Sequence, residues 1–337
     1  MSVKLLEMTN KAKVIVVAST VVVLLSGIAI VRFGGRKPRP RPVPVSQKHT
    51  EVAVVPVGEH GSGRTFDAPP SVVMSAVKVV CGLDAKTAGR YSSRISALHS
   101  ISKHSNLPPE DVLALCEFVT ETNDAISVDC LAGLKNEVLN LLRNQVPVPE
   151  LLPELMIDMI GCGEYDATTV DYCIQHLGSM LQGFSSEGLR ENVRKVLVDA
   201  ASRRRLPYAG TALYALADEA GAPTEYRVKL RQLTVSLAID FSSNPLARIS
   251  AIQLAAQKGY DEVLPVVRRM ISDKRVDVVL TMVCVGAIGY LGNASDISLL
   301  EDLRERGSVR LHPAVDAALA RIHGGKILNG ENKVVSK

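Results

Sequence analysis

The sequence contains no tryptophan, and aromatic residues make up only 4% of its 337 positions. Stacking platforms of the kind that hold single-stranded nucleic acid therefore have little to be built from. Paired cysteines are also missing. Cys81, Cys116, Cys130, Cys162, Cys173 and Cys284 form neither a Cys-x-x-Cys pair nor a regular small-domain framework. They read as small buried hydrophobes with free thiols, on the apolar faces of helices. No alternating apolar and polar run marks a strand. Enzyme signatures are lacking as well: no glycine-rich phosphate loop follows a strand, and there is neither a Gly-x-Ser-x-Gly elbow nor a His-Glu-x-x-His helix.

Basic charge is scarce where a nucleic-acid binder needs it. The formal charge of the whole chain is +4. Residues 1–70 hold ten Lys and Arg against four Asp and Glu, whereas the remainder holds 29 against 31. The long carboxyl-terminal part is thus close to neutral, and no nucleic-acid partner is expected. The basic excess belongs to the amino-terminal segment.

That segment opens with a tail, residues 1–13, followed by the uncharged run Val14–Val31, VIVVASTVVVLLSGIAIV. Eighteen such residues suffice for a tilted bilayer span, so a single-pass transmembrane anchor is predicted. A secretory signal with a small-residue site at Gly27-Ile28-Ala29 is the competing reading. Lys4, Lys11 and Lys13 precede the run, and Arg32, Arg36, Lys37, Arg39 and Arg41 follow it. The bias slightly favours a cytoplasmic location for the carboxyl side. Residues 32–69 read as a basic, proline-rich linker, extended in the polyproline manner, whose Arg36, Lys37, Arg39 and Arg41 are placed to meet anionic lipid.

From residue 70 to residue 325 the texture is uniform. Leu, Val, Ala and Ile dominate, hydrophobic residues make up 47% of the chain, and apolar positions recur at three- and four-residue steps. Val112, Leu115, Cys116 and Val119 are one such stripe; Leu131, Leu134, Val138 and Leu141 are another. Capping and proline starts occur at Pro108-Pro109-Glu110-Asp111, Thr224-Glu225 and Asn244-Pro245, and glycine stops at Gly183, Gly221, Gly259 and Gly292. These boundaries predict about fourteen helices joined by short links, or about seven antiparallel hairpins. A flexible tail, residues 326–337, is expected to close the chain.

Self-similarity is clearest near the end. Ser250-Ala251-Ile252-Gln253-Leu254-Ala255 aligns with Gly286-Ala287-Ile288-Gly289-Tyr290-Leu291, and a further copy stands at Ala317-Ala318-Leu319-Ala320-Arg321-Ile322. Each of the first two copies is followed by a turn and a second helix, starting at Asp261 and at Asp296. Small residues on the first helix of such a unit allow its neighbour to come close, and the leucines and valines of the second fill the gap between layers.

These units, together with the segment Asp273-Lys274-Arg275-Val276-Asp277-Val278 between them, resemble the HEAT-repeat family, in particular the short variant first recognised in phycobilisome lyases. The resemblance covers roughly residues 245–322 and thins into a general helical texture before residue 240. It implies a right-handed, armadillo-like α-solenoid, ahead of which stands the transmembrane helix expected from the run Val14–Val31. It also implies a scaffold that binds other proteins, and the missing enzyme signatures add the expectation of no catalytic activity and no cofactor. The alternative within the family is an enzyme such as a chromophore lyase or a DNA glycosylase relative.

Three groups of residues invite chemistry. Cys173 and His176 are spaced to share a helical face, with Cys162 shortly before, and these are zinc-ligand types. Cys173 also falls on the stripe of Val170, Ile174 and Leu177, which favours a core role and no metal. His99 and His104 lie near Asp111, an acid–base constellation in a polar helix end where such residues are ordinary. Arg203-Arg204-Arg205 sits at a helix end, suited to phosphate or to an acidic partner, and Arg268 and Arg269 read either the same way or as a solvated face. No catalytic, cofactor or metal residue is assigned.

Overall fold

A computed structural model describes residues 70–122, 124–273 and 275–331. Among them are fourteen α-helices, matching the expected number, and no strand. The helices are α1 (Pro70–Val80), α2 (Tyr91–Ile101), α3 (Pro109–Thr120), α4 (Val128–Arg143), α5 (Leu151–Cys162), α6 (Ala167–Met180) and α7 (Glu187–Ser202), then α8 (Ala209–Ala217), α9 (Thr224–Ile239), α10 (Pro245–Lys258), α11 (Leu264–Ser272), α12 (Val278–Leu291), α13 (Ile297–Arg306) and α14 (His312–Glu331).

Local chemistry sets these boundaries. The Asp166 carboxylate accepts from the amides of Thr168 and Thr169 and starts α6. Asn244 caps α10 ahead of Pro245, whose missing amide costs nothing in the first turn, and Asp277 caps α12. Gly259 ends α10 at φ 74°, a left-handed conformation that side chains with a Cβ resist.

The helices pack in two rows. Each of the pairs α1–α2, α3–α4, α5–α6, α7–α8, α9–α10, α11–α12 and α13–α14 is in contact. Along the even-numbered row, every helix from α2 to α14 also touches the next even one; α1, α3, α5, α7 and α9 form the second row in the same way. Small residues make the first row possible, those foreseen in the repeat (Ser250, Gly289 and Ala318) and, before it, Gly178 and Gly210, which the repeat did not include. Gly178 on α6 meets Ala215 on α8, Gly210 on α8 meets Ser250 on α10, and Gly289 on α12 meets Ala318 on α14. A Cβ on these glycines would lie 2.6, 2.6 and 2.9 Å from its neighbour, so only glycine permits the approach. Between the rows the core is aliphatic, with Leu115, Leu134, Val138, Leu152, Leu197, Leu213, Leu237, Ile252 and Ile288 fully buried.

The expectation of a single-pass membrane protein is corrected. Among the described residues no helix is long and apolar enough to cross a membrane. The most apolar, α12, carries no charge, but its 14 residues reach only about 21 Å against roughly 30 Å of hydrocarbon. Its uniform apolarity has another cause, burial among α10, α11 and α14. The run Val14–Val31 and the linker carrying Arg36, Lys37, Arg39 and Arg41 lie outside the described residues.

Candidate functional site

The residue types that suggested a metal are not brought together. Cys173 is fully buried with its sulfur 3.9 Å from that of Met159, and burial pushes its thiol up to about 12. His176 is buried as well, its Nε2 3.1 Å from Asn136 Oδ1, and burial aided by the nearby Arg143 charge lowers it to about 4. Cys162 is exposed and donates to the Met159 carbonyl. Among the described residues no group of three His, Cys, Asp or Glu is placed to hold a metal ion. Among the described residues neither His99 nor His104 forms a hydrogen bond or ion pair with Asp111. Asp111 is buried, and its carboxyl is raised by that burial and by Glu110.

The basic groups divide. Arg268 is bound by both oxygens of Asp296, at 2.7 and 3.0 Å. Arg203 pairs with Asp199 at 2.6 Å and reaches the Ile160 carbonyl at the end of α5. Arg204 pairs with Asp240 at 3.2 Å, and its carbonyl accepts from the Asn244 amide at 2.8 Å. These last two contacts tie the loop between α7 and α8 to the loop between α9 and α10. Arg269 turns towards that second loop.

There the sequence reading missed a constellation. Phe241 follows α9 and is 52% exposed, although it is a large aromatic in a chain with few. The Arg248 guanidinium carbon lies 4.7 Å from the centre of its ring and that of Arg269 lies 5.0 Å away, both within cation–π range. Leu206, Ile239 and Leu246, on the same two loops and adjoining helix ends, are also exposed. Arg248 itself is only 7% exposed and forms no ion pair among the described residues; its Nε is buried without a hydrogen-bond partner. Burial also lowers its pKa from the ordinary value. Asp240, whose charge acts on Arg248, is engaged elsewhere: Oδ1 accepts from the amide and hydroxyl of Ser242, both at 2.8 Å, and Oδ2 faces Arg204. Those bonds hold the Asp240 carboxyl below its usual range.

Two signals in the sequence could have found this site. Phe241 stands in the turn-forming run Asp240-Phe241-Ser242-Ser243-Asn244, where an aromatic has no core to join. Arg248 occupies the apolar face of α10 with Ala247, Ala251 and Ile252, where a charge is out of place.

A second feature is a groove of about 540 Å³ lined by Lys195, Val198, Asp199 and Ser202 of α7 and by Glu225, Tyr226 and Lys229 of α9. Its charges are mixed. Beside it Arg194 joins α7 to the following hairpin, held by Glu219 at 2.5 Å and by Glu187 at 2.6 Å, while the Tyr226 hydroxyl donates to Glu191 at 2.7 Å.

No known family's sequence profile matches the chain, and no curated protein matches it. Among solved structures it is similar to human deoxyhypusine hydroxylase in complex with glycerol, at 12% identity and a TM-score of 0.31, over 76% of this chain and 97% of that one. It is also similar to an engineered protein, at 15% identity and a TM-score of 0.22, over 74% and 97% of the two chains. The first of these is an enzyme, against the expectation of no catalytic activity, which is not retained. Likenesses this distant carry no argument for a particular chemistry.

Proposed function

We propose that residues 70–325 form a HEAT-like, right-handed α-solenoid that binds a protein partner along the edge carrying Phe241. The observation that carries this reading is the exposed Phe241 ring within cation–π range of two guanidinium groups, with Leu206, Ile239 and Leu246 exposed on the same loops and helix ends. Aromatic and arginine side chains dominate the energetics of protein interfaces because they combine large apolar area with directed polar contacts. The two rows of hairpins support the family resemblance, since stacked helical pairs of this kind present extended contact surfaces. Binding at this edge is compatible with a catalytic role, because the site engages a partner and not a reacting bond.

The test is a photo-crosslinking amino acid placed at Phe241 in the full chain and, as a control, at the exposed Glu301 of α13. A discrete protein adduct from Phe241 alone supports the reading. Adducts from both positions, or from neither, overturn it.

A further inference from the structure

Arg248 has a counterpart elsewhere in the array. Arg94 is the fourth residue of α2, as Arg248 is of α10, and it too is buried against a phenylalanine, Phe118, at 5.0 Å. The surroundings of Arg94 are complete in the way that matters for charge. Its Nε donates to the Val80 carbonyl at 2.8 Å, and its Nη1 meets Asp124 at 2.5 Å, a carboxylate supplied by the loop leading into the next even-numbered helix, α4. The corresponding loop for Arg248 leads into α12 and also contains a carboxylate, Asp273. That group is committed within its own loop: Oδ1 accepts from the Arg275 amide and Nε, both at 3.0 Å, and Oδ2 meets Arg275 Nη2 at 2.9 Å. The other aspartate there, Asp277, caps α12. Arg248 therefore stands at Phe241 with no carboxylate of its own chain in an ion pair with it among the described residues, and Asp240 acts on it only through its field. A buried guanidinium without a paired carboxylate is unfavourable, and one brought from outside relieves it.

We propose that Arg248 and Arg269, both within cation–π range of Phe241, receive carboxylate side chains of the partner, so that the docked segment is an acidic peptide with an aliphatic or aromatic side chain beside the Phe241 ring. This rests on the docking reading above and gives it a partner class. Charge complementarity selects the acidic group, since two cations and an exposed ring converge while the nearby aspartates are engaged. The exposed Leu206, Ile239 and Leu246 select a peptide over a nucleic acid, as does the balance of 29 basic against 31 acidic residues beyond position 70.

The experiment uses the full chain and fluorescence anisotropy with a labelled peptide in which glutamates flank a Leu-Phe pair, compared with the same peptide carrying glutamines. The glutamate peptide is expected to bind about tenfold or more tightly than the glutamine peptide, as a charge-assisted bond to a desolvated arginine implies. Arg269→Gln and Arg248→Met are each expected to abolish that preference, and Phe241→Ser to weaken both peptides. Arg269 is exposed, so Arg269→Gln decides the matter even where Arg248→Met fails to fold. Equal binding of the two peptides, no binding of either, or an unchanged preference in Arg269→Gln overturns the inference. So does stronger binding of an oligouridine of matched charge. If the crosslinker at Phe241 still captures a protein in any of these cases, only the acidic class falls; if it captures none, the docking reading falls with it.

Discussion

His176 shows how a single buried side chain makes stability depend on pH. Its imidazole is 5% exposed and lowered to about 4 by burial and by Arg143, whereas in the unfolded chain it titrates near the ordinary 6.5. Between those values the unfolded state binds the extra proton, so stability is complete above pH 6.5 and is lost as pH falls from there towards 4. The loss amounts to up to about 3 kcal/mol. Urea midpoints measured at pH 7.5 and pH 5 should therefore differ more for the native chain than for His176→Gln; equal differences would show that His176 is not the titrating group. Arg194 makes a second case. Its side chain is 4% exposed and that of Glu219 5%, so Arg194→Met leaves a buried carboxylate unpaired. A loss of about 3 kcal/mol is expected by chemical denaturation, and the double variant Arg194→Met, Glu219→Leu should recover part of it. Neither effect was legible beforehand, because the sequence places Glu219 beyond α8 and says nothing of its meeting α7.

At the scale of the element, the even-numbered helices approach through glycine. Gly210→Ala would set a methyl 2.6 Å from Ser250 Cβ and 3.1 Å from the Ala247 backbone, forcing α8 and α10 apart. We expect a destabilisation of about 1–3 kcal/mol, read as a lower urea midpoint, and partial rescue by Ser250→Gly. An unchanged midpoint in Gly210→Ala would mean that the two helices do not pack this closely. Much of this level was readable in advance. The stripes at three- and four-residue steps, Asn244-Pro245, Gly259 and the small residues of the repeat each act within a turn or two of chain, and they fall where helices, caps and close contacts stand. The stop at Gly183 is less sharp, since α6 ends at Met180 and a 3₁₀ turn over Leu181–Gly183 carries the chain onward.

For the array as a whole, every hairpin is held by its immediate neighbours. The middle helices, such as α8 and α10, touch partners on both sides, whereas α1 and α14 lie at the two ends of their rows. Stability in such an arrangement is close to a sum of units and nearest-neighbour interfaces. Hydrogen exchange followed by mass spectrometry should accordingly show protection highest in α8, α10 and α12 and falling towards α1 and α14. Uniform protection from end to end would instead indicate one all-or-none unit.

Helix number and helix starts were determined by the sequence itself, because capping and periodicity act over a few residues. The fate of the charges was decided by tertiary structure. Arg94 and Arg248 hold the same position in their helices, yet one meets Asp124 and the other forms no ion pair among the described residues, where Asp273 closes on Arg275 instead. Phe241 lies outside the core beside Arg248 and Arg269 for a similar reason. Its neighbours are set by how the connection after α9 meets α10 and α11, which no local pattern encodes.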